Sequence, residues 1–211
     1  QLPKQQITAV YNGFSKHFKQ IELPETVTHK YIPHKEFIFF LGNTDPKKNT
    51  SRTLKAYSLY LKQSVHKRPL LIADLKEDIV DAILNEENIK EIKPYIFCPG
   101  YIPNKDLAYI YNGAFAFLYT SLRESFGIPI LEAMACGTPV ITSNTSAIPE
   151  IAGKDGILVN PMKPEDISEK LLELENNSEF YRQQVDYGLQ HIQNFSWKKT
   201  AEALLNIYKE I

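Results

Sequence analysis

Short, nearly continuous apolar runs recur along the chain: FIFFLG from Phe37, LLIAD from Leu70, YIFCPG from Tyr95, AFAFLYT from Ala114, TPVITS from Thr138 and GILVN from Gly156. Runs of this length without polar alternation predict strands covered on both faces, as in buried parallel sheets. The intervening segments predict helices over Thr50 to His66, Lys76 to Glu91, Asn104 to Asn112, Gly127 to Ala135 and Ile148 to Ala152. Two more, Pro164 to Glu175 and Ser178 to Gln193, follow the last strand. The alternation predicts an α/β fold, a doubly wound parallel sheet of about six strands. Ser196 predicts the cap of a final helix from Trp197 to Ile211, whose stripe of Trp197, Ala201, Leu204, Leu205 and Tyr208 is expected to pack into a core. At the other end, Ile7 to Val10 predicts a short strand, and Tyr11, Asn12 and Gly13 a turn. The stretch Asn12 to Lys35, with Pro24 and Pro33, reads as a linker or a covering loop.

Composition narrows the class without changing the fold. The 211 residues are 43% hydrophobic and 23% charged, ordinary for a soluble globular chain, and one domain is the simplest count. A net charge of −1 gives no electrostatic footprint for nucleic acid or an anionic membrane. No apolar run approaches the roughly 18 residues of a membrane span, and no secretory signal pattern opens the chain. The two cysteines, Cys98 and Cys136, sit among apolar neighbours and form no C-x-x-C, which predicts a reducing, cytoplasmic setting. The sequons at Asn49, Asn144, Asn176 and Asn194 therefore read as chance. The five histidines lack ligand spacing and are expected in surface or structural roles. Gln1 stands where an initiator methionine would, so a processed chain or a fragment is expected.

The candidate chemistry lies in RESFGIPILEAMACGTPV, Arg123 to Val140, where Glu124 and Glu132 bracket a predicted helix start. Pro129 suits a first turn because its φ is already helical and its missing N–H has no partner to lose. A helix beginning near Gly127 turns the N–H groups of Ser125, Phe126 and Gly127 toward its entry point, where the macrodipole favours an anion. Glu132 is predicted in that first turn and Glu124 just before it. Carboxylates accept hydroxyls rather than bind phosphate, so the pattern asks for a ligand with phosphate in the middle and hydroxyl-rich rings at both ends: a nucleotide sugar.

E-x7-E followed by LEAMACGTPVI, with SAIPEIAG downstream, resembles the signature of the family 4 (group 1) glycosyltransferases. The resemblance implies a retaining, metal-independent enzyme with two Rossmann-like domains (GT-B type), needing no cofactor beyond a UDP- or GDP-linked donor sugar. It implies that Glu124 contacts the transferred sugar, Glu132 the ribose hydroxyls, and the amides of Ser125 to Gly127 the distal phosphate. In the loop GNTDPKKN, Lys48 matches the family lysine that contacts the diphosphate. Relatives often carry arginine after the strand-ending glycine, whereas here Asn43 follows Gly42. Arg123 is the candidate replacement, with a surface ion pair as its alternative. Ala73 and Asp74 replace a glycine-rich turn and are expected to narrow that wall of the pocket. Gly100, Tyr101 and Ile102 match the place where relatives hold the base, and Glu150 is expected to cap a helix start.

VYNG resembles the point where family chains leave their first domain. The implied organisation is residues 1–13 as the end of an acceptor-binding domain and linker, 14–195 as the donor-binding domain, and 196–211 as a helix returning toward the first domain. The acceptor, a glycan or lipid-linked sugar, would then be bound by that other domain, as would any peripheral membrane association. No G-x-G-x-x-G, P-loop or hydrolase-elbow string occurs, and no D-x-D suggests a metal-bridged diphosphate. A sugar-nucleotide epimerase of the same architecture and a non-enzymatic flavodoxin-like module remain the alternatives.

Overall fold

The computed structural model describes residues 7–22 and 25–210. Residues 1–6, Leu23, Pro24 and Ile211, which belong to the predicted linker, covering loop and last helix, lie outside the described residues. The strands are β1 (Phe37–Leu41), β2 (Leu70–Ala73), β3 (Ile96–Gly100), β4 (Ala114–Tyr119), β5 (Val140–Ser143) and β6 (Ile157–Val159). A short α1 (Glu25–Thr28) precedes them. The helices among and after the strands are α2 (Thr50–Gln63), α3 (Glu77–Glu86), α4 (Asn104–Gly113), α5 (Ile128–Ala135), α6 (Ile148–Ala152), α7 (Pro164–Asn176), α8 (Ser178–His191) and α9 (Trp197–Glu210).

All six strands are parallel in the order β3-β2-β1-β4-β5-β6. The chain builds outward from β1 to β3 and then returns to lay β4 beside β1, with Phe40 opposite Leu118. This is the Rossmann order rather than the flavodoxin order, and it removes the flavodoxin-like alternative. The loops after β1 and β4 leave toward opposite faces, opening a crevice at the carboxyl edge between them.

Alternation along β1 divides the core. Ile38 and Phe40 pack with Leu54, Tyr57 and Tyr60 of α2 and Leu171 of α7. Phe37 and Phe39 face the other way, onto Tyr111 of α4 and Ile130 and Met134 of α5. Every one of these side chains is essentially removed from water, which is why the strands read as unbroken apolar runs. The segment before β1 is a covering loop: Phe18 and Ile32 are buried in this second core, and Asn112 of α4 binds both Lys19 O (2.9 Å) and Ile21 N (3.0 Å).

Several expectations are corrected. Ile7 to Val10 forms no strand, since it pairs with no strand of the sheet and leaves Ile7 65% exposed. The third helix stops at Glu86 because Asn88 takes a left-handed φ of 56°, and a 3-10 turn, Lys90–Tyr95, follows. Ser196 does cap α9, accepting the N–H of Lys199 at 3.1 Å, but the α9 stripe is not in a core. Trp197, Leu204, Leu205 and Tyr208 are 52%, 43%, 54% and 74% exposed. Among the described residues no helix is long and apolar enough to cross a membrane.

Candidate active site

The switch-point crevice is held open by a few polar staples. Asn49, buried and in a left-handed conformation (φ 61°), donates from Nδ2 to the carbonyls of Thr120 (3.1 Å) and Pro161 (2.7 Å). One amide thus ties the loops that follow β1, β4 and β6. The Leu122 N–H donates to Lys47 O at 2.7 Å, and Ser146 Oγ both donates to Glu124 O (2.7 Å) and accepts from Glu124 N (3.3 Å). The sequence reading noted Asn49 only as a chance sequon; it stands at the N-cap of α2, but its side chain makes no cap bond.

At the start of α5, Gly127 is the N-cap with φ 104° and ψ 48°. The positive φ disfavours any side chain there, and a Cβ would also crowd Ile130 Cδ1 at 3.0 Å. Pro129 lies in the first turn, as its chemistry predicts. Among the described residues no acceptor receives the N–H of Ser125, Phe126 or Gly127, so all three remain available to an anion at the helix entrance.

Two of the predicted side chains meet. Lys48, on a 3-10 turn capped by Asp45, places Nζ 2.7 Å from Glu124 Oε1, with 21% and 14% of the two side chains exposed. The same ammonium lies 5.1 Å from the centre of the Tyr119 ring. Burial works against the charge on Glu124, but hydrogen bonds from Lys48 and Ser121 outweigh it and hold the carboxyl below its ordinary range. Tyr119, the last residue of β4, has its phenol pushed up by burial and by the nearby Glu124 carboxylate.

Glu132 requires a correction: it lies in the second turn of α5, not the first, so the macrodipole does not account for it. Its carboxylate stands 3.4 Å from the Tyr111 hydroxyl in a largely apolar wall. Burial raises its pKa to about 7, against a smaller opposing effect of the Tyr111 hydrogen bond. Tyr111 was read from sequence only as part of a helix and Tyr119 only as part of an apolar run, yet both lie beside Glu132.

The other predicted residues divide. Gly42 is buried, and a Cβ on it would fall 2.4 Å from Leu75 Cδ1, so close packing explains the glycine. Asn43 is exposed, its Oδ1 accepting Asp45 N–H at 2.9 Å and its carbonyl accepting Thr50 Oγ1 at 2.8 Å. Arg123 is exposed beside Glu124 and pairs with no carboxylate among the described residues. Asp74 takes φ 62°, a left-handed turn of the kind glycine adopts freely, and its N–H donates to Gly100 O at 2.9 Å. Ile102 is buried in the second core, whereas Tyr101 beside it is 73% exposed. Glu150 does not cap its helix and instead accepts a hydrogen bond from Tyr11.

A cavity of about 620 Å³ lies elsewhere, at the amino edge of the sheet between Glu36, Arg68, Phe115 and Tyr181. Ligands of open α/β sheets bind at the carboxyl edge, and the convergent amides and charges lie there too, so the crevice is the better candidate despite its openness. Among the described residues no three His, Cys, Asp or Glu side chains are grouped to hold a metal ion.

Residues 28–191 match the model of the family described as glycosyl transferases group 1. The chain belongs to this family. It is 34% identical over 175 residues to the O-antigen chain mannosyltransferase B of Escherichia coli, an alignment that covers 82% of this chain and 45% of the relative. This group 1 chain thus spans about half the length of that relative. Its fold is that of the C-terminal domain of a glycosyl transferase group 1 family protein (LpcC) from Francisella tularensis: TM-score 0.71, 24% identity, 84% of this chain and 94% of that one. Anabaena Alr3699/HepE, solved with UDP and glucose, also shares the fold, with TM-score 0.80 and 15% identity over 97% of this chain and 57% of that one.

Proposed function

We propose that the crevice binds a nucleoside-diphosphate sugar, UDP- or GDP-linked, and that the chain is the donor-binding domain of a retaining, metal-independent glycosyltransferase. The observation that carries this reading is the Lys48–Glu124 pair standing 2.7 Å apart beside the unoccupied amides of Ser125 to Gly127. A donor has two chemically distinct ends around one scissile bond, and this arrangement offers a partner to each side of that bond. The amides and Lys48 receive the diphosphate, Glu124 accepts sugar hydroxyls, and Glu132 accepts the ribose hydroxyls. Arg123 is the free cation on the rim and takes the place of the arginine that Asn43 lacks. Tyr101 covers the base.

As the bond between sugar and diphosphate breaks, negative charge builds on the leaving oxygen. The α5 entrance and Lys48 are oriented for that charge before it appears, which is the arrangement that lowers a barrier rather than merely tightening binding. No metal is required in this scheme. The acceptor hydroxyl, supplied with a glycan or lipid-linked sugar by a preceding domain, attacks from the side the diphosphate leaves. The resemblance to an O-antigen chain mannosyltransferase supports a hexosyl donor and a polysaccharide product. Residues 1–13 are then the linker from that domain, 14–195 the donor domain, and the exposed face of α9 returns to the acceptor half.

Calorimetric titration of the 211-residue chain with UDP and GDP tests the reading. Binding of one of them is expected, with roughly a tenfold or greater loss on Lys48→Ala, the range of a charge-assisted hydrogen bond. Failure of both nucleotides to bind at about millimolar concentration, an affinity near 4 kcal/mol, removes the donor site.

A further inference from the structure

Phe126 has two sides. Its N–H belongs to the amide cradle at the entrance of α5, while its ring points away into a cluster made by parts of the chain far apart in sequence. The Tyr11 ring lies 6.3 Å from Phe126 and 5.8 Å from Phe195, and Phe195 lies 6.3 Å from Phe126 at an interplanar angle of 81°. Each member is fixed from outside. The Tyr11 hydroxyl donates to Glu150 in the first turn of α6, and the Tyr11 carbonyl accepts Thr200 Oγ1 at 2.6 Å. Phe195 is buried with Leu131 and Ile151, and its edge meets His191 at 5.3 Å. His191 Nε2 stands 2.8 Å from Ile151 O and so carries its proton there. Nearby, a Cβ on Gly13 would fall 2.1 Å from Trp197 N, so the crossing of segments 11–13 and 195–200 is in direct backbone contact.

We propose that Tyr11 and Phe195 are positioning residues for the diphosphate cradle, acting through the Phe126 ring. This rests on the donor-site reading and goes beyond it, because that reading gives neither residue a role. The cradle at 125–127 has no helix or strand of its own and no internal hydrogen bond to its amides. What orients the peptide planes is the glycine turn at one end, the Ser146 clamp on Glu124 at the other, and the Phe126 ring in between. A ring seated between two others fixes the direction of the N–H on its own residue, and an amide aimed before the ligand arrives costs nothing to reorganise on binding. Loss of a neighbouring ring lets Phe126 turn, and the effect falls on the phosphate that the amides grip, not on the base or ribose.

The affinity ratio of nucleoside diphosphate to monophosphate, for whichever base the parent chain prefers, isolates that phosphate. Three chains are compared by calorimetry: the parent, Tyr11→Ala and Tyr11→Phe. Tyr11 is 42% exposed, and melting temperatures verify that the variants remain folded. The expected result is a fall of about tenfold in the ratio for Tyr11→Ala, monophosphate affinity unchanged, and recovery within about twofold for Tyr11→Phe, which keeps the ring. A folded Tyr11→Ala chain with the parental ratio overturns the proposal while leaving the donor site intact. A parent that binds neither nucleotide removes the donor site itself, and the proposal with it, before any variant is made.

Discussion

Glu132 shows how far a single residue's meaning depends on its neighbours. Its pKa near 7 comes from burial against Tyr111, and the two consequences of that burial run in opposite directions with pH. The folded value lies above the ordinary 4.5, so the stabilising effect of the neutral form is fully present below about pH 4.5 and is lost as pH rises through about 7. Ribose hydroxyls, in contrast, need the ionised acceptor, so nucleotide affinity is expected to rise between about pH 6 and pH 8. Calorimetry and thermal melts across that range should show binding improving while the free chain loses stability, and Glu132→Gln should flatten both curves. At the same scale, Lys48 and Glu124 depend on each other. Removing Lys48 strands a largely buried carboxylate, so Lys48→Ala should raise the apparent pKa of Glu124 toward or above its ordinary value, visible by carboxyl carbon NMR. The glutamates and lysine could be found from motif spacing. Tyr111, Tyr119 and Asn49 could not, because an aromatic in an apolar run and an asparagine before a helix have common structural explanations that only three-dimensional placement displaces.

Among the elements, strands were the most legible, since six continuous apolar runs became six strands, with β1, β2, β4 and β5 almost wholly buried and the edge strand β3 partly exposed. Helix ends were less so. The third helix stops where Asn88 adopts a left-handed turn, a choice made by tertiary packing rather than by propensity. The entrance of α5 illustrates both cases: Pro129 announces the start, but the need for glycine at position 127 follows from φ 104° and the Ile130 contact. Gly127→Ala is therefore expected to cost roughly 1 to 3 kcal/mol in denaturant unfolding, more than an exposed loop glycine would. Helix α9 misled in the other direction. Its helical stripe is real, yet its apolar members face solvent, so Leu204→Glu and Leu205→Glu should each change the stability of this chain by less than about 0.5 kcal/mol. A larger loss in thermal unfolding would show that the face is packed.

On the scale of the whole molecule, topology explains why a crevice exists and the loops explain what it holds. The reversal of strand order between β1 and β4 brings Lys48 and Glu124, 76 residues apart in the chain, within 2.7 Å. Asn49 then closes three loops around them. The amino edge holds a cavity of about 620 Å³ with Arg68 and Glu36 in its wall. The two edges therefore make competing predictions for where a nucleotide goes, and amide NMR of the 211-residue chain during titration with UDP or GDP distinguishes them. The account predicts that the largest shifts fall on Ser125, Phe126 and Gly127, with Lys48 and Glu132 close behind. Shifts confined to the walls of the amino-edge cavity, around His34, Arg68 and Tyr181, would contradict it.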